Sequence, residues 1–158
     1  MTNESLRPGF EPDRKSPSFG KLLKSALLAA LVSGVVNGFI VVVDFLLSNS
    51  SHEKTAIVIG FQFTSTFLLF LMANFAPMLL AASLGTVLAK RVENTAVRGL
   101  FWLLNGGACG FLAISVAVAM APGKIPAAEV SSFVGPLSLF VTAGLVGGIV
   151  LRDMLDPR

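Results

Sequence analysis

Four apolar stretches, Leu22–Leu47, Ala56–Ala89, Leu100–Ala121 and Phe133–Leu151, constrain this chain more than any other feature. Each meets or exceeds the roughly 18–20 apolar residues that a helix needs to cross a ~30 Å hydrocarbon layer. Backbone groups in hydrocarbon have no water to bond, and a helix satisfies them within its own segment. The expected fold is therefore all-α, a four-transmembrane-helix bundle with helices over about 22–47, 56–89, 98–121 and 130–151. Only 13% of the 158 residues are charged, against about 25% in a soluble domain. A surface facing lipid requires such a deficit.

The basic residues sort by side. Arg7, Arg14, Lys15, Lys21 and Lys24 precede the first stretch. Lys90, Arg91 and Arg98 lie between the second and third, and Arg152 and Arg158 at the C-terminus. The other two connections hold Lys54 and Lys124 alone, so the division is ten against two. The positive-inside rule then places both termini and the middle connection in the cytoplasm. The net charge of +3 follows from this flanking pattern. No nucleic-acid partner is expected.

Residues 1–20 carry Pro8, Pro12, Pro17 and mixed charge, a composition that reads as a disordered cytoplasmic tail. The run after Lys24 is too long for a signal-peptide core and no A-x-A site follows it, so the first helix reads as an uncleaved anchor. The transmembrane domain is expected over 21–153, followed by a short C-terminus, 154–158. In the first connection, Ser50 and Glu53 fit a capping box for the second helix, and Asn49-Ser50-Ser51 matches a glycosylation sequon. Pro122-Gly123-Lys124-Ile125-Pro126 is turn chemistry.

The second stretch is 34 residues long, or ~50 Å as a helix, and contains Pro77. One long helix, kinked or tilted, is the favoured reading. A re-entrant break at Asn74–Pro77 is the alternative, although it would put Lys90 and Arg91 on the wrong side.

The first and third stretches share a pattern. Ser33-Gly34-Val35-Val36-Asn37-Gly38-Phe39 matches Asn105-Gly106-Gly107-Ala108-Cys109-Gly110-Phe111. In the second and fourth, Pro77, Leu80, Ser83, Gly85 and Val87 match Pro136, Leu139, Thr142, Gly144 and Val146 in spacing. Two helical hairpins in parallel orientation, a 2+2 repeat, would produce both matches. Chance recurrence of small residues in membrane helices is the competing account.

Small residues also recur at four-residue spacing: Gly34 and Gly38, Ala81 and Gly85, Gly106 and Gly110, Gly144 and Gly148. Lipid supplies little hydrophobic drive for helices to associate, and such faces allow close backbone packing instead. They are the candidate helix-packing residues. The candidate polar or ion-binding residues are Asn37, Asp44, Gln62, Asn74 and Asn105. Asp44 is the one acidic residue within a stretch. It shares a helical face with Ser33, Gly34, Asn37 and Gly38 and lies near the outer interface, where Lys54 or the Asn49–Ser51 turn offers a partner. Pro77 and Pro136 are candidate hinges.

Catalytic chemistry finds little support. His52 is the single histidine and lies in a connection, and Cys109 is the single cysteine, so neither intramembrane haem ligation nor an internal disulfide is available. No zincin, Walker, C-x-x-C or nucleophile-elbow motif occurs. No enzyme activity, cofactor or metal is expected. The leading expectation is an integral protein of a bacterial inner membrane that acts through helix–helix contacts, with lipid and other transmembrane helices, of its own kind or of a hetero-complex, as partners. A small homo-oligomeric transporter or channel using the Asn37–Asp44 stripe is the alternative.

Overall fold

A computed structural model describes residues 16–47, 55–120 and 130–156. It contains α1 (Phe19–Leu47), α2 (Ala56–Leu88), α3 (Thr95–Met120) and α4 (Val130–Leu155), with a 3-10 turn, Ala89–Arg91, after α2. All four helices are long and apolar enough to cross a membrane. The sequon, the proposed Ser50–Glu53 capping box, His52 and the Pro122–Pro126 turn lie outside the described residues.

Local chemistry sets the helix ends. Ser18 Oγ accepts the Lys21 N–H at 3.3 Å, so α1 begins before Leu22. Thr55 caps α2, its side chain accepting from Val58 N. Asn94 Oδ1 accepts from Ala96 N at 2.9 Å and Val97 N at 3.3 Å, which starts α3 ahead of residue 98. Short polar side chains at this position satisfy amides that the first turn leaves free. At the other end, α4 continues past residue 151. Leu151 and Leu155 are both buried, one turn apart on the inner face, and their burial outweighs the polarity of Arg152 and Asp153 between them. The second helix is continuous through Pro77, so the re-entrant alternative does not occur. Proline removes one hydrogen bond, which one long helix tolerates.

The helices form two antiparallel hairpins, α1 with α2 and α3 with α4. The hairpins join through α1 on α4 and α2 on α3, and α2 touches α4 across the middle. Among the described residues α1 and α3 do not meet. The starts of α1 and α3 and the ends of α2 and α4 therefore share one end, called here the basic end. Contacts among the described residues hold it together. Lys90 Nζ donates to Ser16 Oγ at 3.3 Å, Arg98 Nε pairs with Asp156 Oδ2 at 2.9 Å, and the Arg152 guanidinium lies over Gly99.

Helix α1 shows why this fold needs lipid. Its buried residues are Ser25, Ala26, Ala29, Ala30, Ser33, Gly34, Asn37 and Gly38. Its exposed residues include Leu27, Leu28, Leu31, Phe39, Ile40 and Val43. Small and polar groups lie inside and large apolar groups outside, the reverse of a water-soluble helix. A contiguous apolar exterior of this kind is unfavourable in water and favourable in a bilayer. The chain has the architecture of an integral membrane protein.

Candidate functional site

The small-residue faces meet one another inside the bundle. A Cβ on Gly34 would stand 3.1 Å from Phe67 O, and one on Gly38 would stand 2.8 Å from the Phe63 ring. On the other hairpin the approach is backbone to backbone. A Cβ on Gly106 would collide with Gly144 O and stand 2.8 Å from Gly148 Cα. One on Gly110 would collide with Phe140 O, one on Gly144 with Gly106 O, and one on Gly148 with Trp102 O. Gly85 lies instead beneath the Trp102 indole, and Ala81 is fully buried.

These contacts bear on the two sequence matches differently. Gly34 and Gly38 pack on α2, and the matching Gly106 and Gly110 pack on α4, so each pair holds its own hairpin closed. The aligned Ser33 and Asn105 also play matching parts. Ser33 Oγ donates to Ala143 O of α4 at 2.7 Å, and Asn105 Nδ2 donates to Ala81 O of α2 at 2.8 Å. Each crosses to the second helix of the other hairpin. Gly85 and Gly144 do not correspond in this way. Gly144 packs within its hairpin, whereas Gly85 packs across to α3. The α1/α3 equivalence therefore extends to contacts, and the spacing that aligns Pro77 with Pro136 does not.

Polar groups concentrate where α1, α2 and α4 meet. Ser33, Asn37 and Asn74 are all 0% exposed. Asn37 Nδ2 donates to Leu139 O at 3.1 Å, while its Oδ1 has no partner. Both polar atoms of Asn74 are buried and unpartnered. Phe70, one turn before Asn74, packs on Phe140 with ring centroids 4.9 Å apart. Met78, one turn after it, occupies the space beside Gly147 that Ser33 Oγ also borders. Asn74 is thus level with Ala143, the acceptor of the Ser33 hydroxyl. Pro77 lies three residues further along the same helix and has no N–H to give the Ala73 carbonyl.

The remaining candidates lie apart from this junction. Asp44 is exposed. By helical angle it shares the inner face of α1, but it lies two turns beyond Asn37, past Gly38, the last buried residue of that helix. The Asn37–Asp44 stripe is therefore divided between the interior and the surroundings. Lys54 and the Asn49–Ser51 turn, expected partners of Asp44, are outside the described residues. Gln62 is half-buried near the start of α2, where Thr64 and Ser65 bond to Gly60 O and Gln62 O of their own helix. Pro136 lies within α4. Among the described residues no three His, Cys, Asp or Glu side chains converge on a common point.

Two features escaped the sequence reading. Trp102, the single tryptophan of the chain, is 1% exposed with its Nε1 unpartnered. It fills the gap that Gly85 leaves. A glycine on one helix and the single tryptophan on the next was the available signal, but it does not say that the two residues meet. Ser33 appeared in the α1/α3 match and on the polar face but not as a bonding residue, although it makes the shortest hydrogen bond between the hairpins among the described residues.

Comparison with protein-family models, curated proteins and solved structures yields no match.

Proposed function

We propose that the chain is a non-catalytic integral protein of a bacterial inner membrane that acts through contacts made by its outer helix faces, either as an accessory or assembly subunit or as a self-associating module. The observation that carries this reading is the occupied interior. The glycine faces are consumed in holding the hairpins together, and Trp102, Met78, Leu151, Asn37 and Asn74 fill the centre with less than 2% exposure each. Groups left to engage anything large face outwards: Asp44, and apolar residues such as Phe61, Leu69 and Met72. The orientation in this proposal, both termini cytoplasmic, rests on the division of Lys and Arg.

Native mass measurement of the full chain, extracted in a mild detergent, tests the reading. The expected result is a species heavier than the 16.6 kDa monomer, with either a second protein or a second copy. A monomer at every detergent and protein concentration would contradict it.

The unpartnered Asn37 Oδ1 and the unpartnered Asn74 amide, both buried in the bundle, favour a second reading, a small homo-oligomeric transporter or channel that uses the Asn37–Asp44 stripe. A symmetric dimer with no other protein, and liposome flux that is lost in Asp44→Asn, would select it. Unchanged flux in that variant would remove Asp44 from the pathway.

A further inference from the structure

We propose that the outer face of the α3–α4 hairpin seats one anionic phospholipid, its phosphate on the Arg152 guanidinium and its acyl chains over Ile149, Leu100 and Leu104. The position of the guanidinium carries the argument. Arg152 is exposed, and a long basic side chain at a helix end is free to extend towards water. It lies back across α3 instead. A Cβ on Gly99 would stand 3.0 Å from Arg152 Cζ and 3.1 Å from Nη1, so the bare backbone at Gly99 is what admits it. That seat is electrostatically unfavourable for a cation. Gly99 lies near the start of α3, next to Arg98, and the first turn of α3 holds no acidic residue. The helix dipole adds positive potential there. Asp156 is engaged by Arg98 at 2.9 Å, and no carboxylate among the described residues pairs with Arg152. Over the whole basic end the described residues hold six Lys and Arg against three acids, Glu93, Asp153 and Asp156. An anion arriving from outside the bundle would offset this surplus.

The surroundings indicate which anion. Ile149 precedes Arg152 by three residues on the same face of α4. Leu100 follows Gly99 on α3, and Leu104 continues its face one turn inward. These three side chains are 51%, 56% and 57% exposed. Two turns towards the membrane centre, Leu145 crosses to Gly107 as Arg152 crosses to Gly99. The hairpin thus presents a low apolar strip that runs inward from a guanidinium. A phosphate attached to hydrocarbon complements that strip, and the planar guanidinium matches two phosphate oxygens. A zwitterionic headgroup would bring its own cation to the two arginines, whereas an anionic one would not. The proposal requires only that the chain spans a membrane, so it holds under either reading of the function.

The test is native mass measurement of the full chain in a non-ionic detergent, titrated with phosphatidylglycerol or phosphatidylcholine of the same acyl chains. The expected result is one phosphatidylglycerol per chain, bound at a concentration about fivefold below that needed for phosphatidylcholine. Arg152→Gln should weaken binding of that lipid about tenfold, the loss of a charge-assisted bond to phosphate. Arg152→Lys keeps the charge without the paired donors and should lie between. Gly99→Ala leaves every charge in place but displaces the guanidinium, and should also weaken binding. Lys24→Gln removes the same charge from α1, which does not meet α3 among the described residues, and should leave the first lipid unchanged. Inorganic phosphate, compared with chloride at equal ionic strength, should not release it. Equal affinity for the two lipids would overturn the proposal. So would a loss in Arg152→Gln no larger than in Lys24→Gln, unchanged binding in Gly99→Ala, or release by inorganic phosphate.

Discussion

Gly106→Ala probes the construction of the α3–α4 hairpin. The added methyl would meet the Gly144 carbonyl and stand 2.8 Å from both Gly148 Cα and Gly148 N. Ordinary carbon–carbon contact lies near 3.5–4.0 Å, so the helices must separate by about 1 Å. No side chain can rotate to absorb the difference, because the obstructing atoms are backbone. A gap of that size forfeits roughly a quarter to a half of each dispersion contact along the seam, and Gly110, Gly144 and Gly148 lie on the same seam. The expected cost is about 3 kcal/mol, at the upper end for overpacking. The better helix propensity of alanine returns about 1 kcal/mol, leaving a net loss of about 2 kcal/mol. Gly60→Ala is the internal control, since nothing lies within 4 Å of its Cβ position. It should gain up to about 1 kcal/mol. Equilibrium unfolding of the purified chain in mixed micelles of increasing SDS fraction measures both variants. Once Gly106→Ala has parted the helices, adding Gly144→Ala should cost less than it does alone. Equal stability of Gly106→Ala and Gly60→Ala, or full additivity of the double variant, would refute the argument.

Other expectations follow from the same contacts. Trp102→Ala should lose about 3–5 kcal/mol in the same unfolding assay, because the indole fills a closed gap over Gly85. Asn105→Leu removes the bond to Ala81 O and should cost about 1 kcal/mol. Asp156→Asn should lose about 1 kcal/mol at low salt and less at high salt, as a largely buried ion pair at the basic end requires. A tag after Arg158 should resist external protease in intact cells; digestion there would overturn the cytoplasmic assignment of the termini.

The helices were legible in the sequence because span length and composition are local properties. The role of α1 was legible for the same reason: Gly34, Gly38, Ser33 and Asn37 share one helical face whatever packs against it. The depth of Asp44 was legible too: counting along the helix from Lys24 places it near the outer interface, and it is exposed although it has the angular position of that face. Partner identity was hidden. Gly85 and Gly144 match in spacing, but Gly85 receives a tryptophan from the other hairpin and Gly144 a backbone from its own. The end of α4 was masked by Arg152 and Asp153, whose polarity looked like an interface. The burial of Leu151 and Leu155 and the Arg98–Asp156 pair carry the helix onward. The junction around Asn74 depends on α1, α2 and α4 arriving at one level, which no single segment encodes.

The central claim, that the interior is occupied and the outer faces make the functional contacts, is tested most directly by photo-crosslinking in living cells. A crosslinking amino acid is placed singly at outward positions, Phe39, Asp44, Leu69 and Met72, and at inward positions, Ala29 and Met78. The account predicts adducts of defined mass between this chain and another protein, or a second copy, from one cluster of outward positions and none from the inward ones. Lipid adducts alone from every outward position would contradict it.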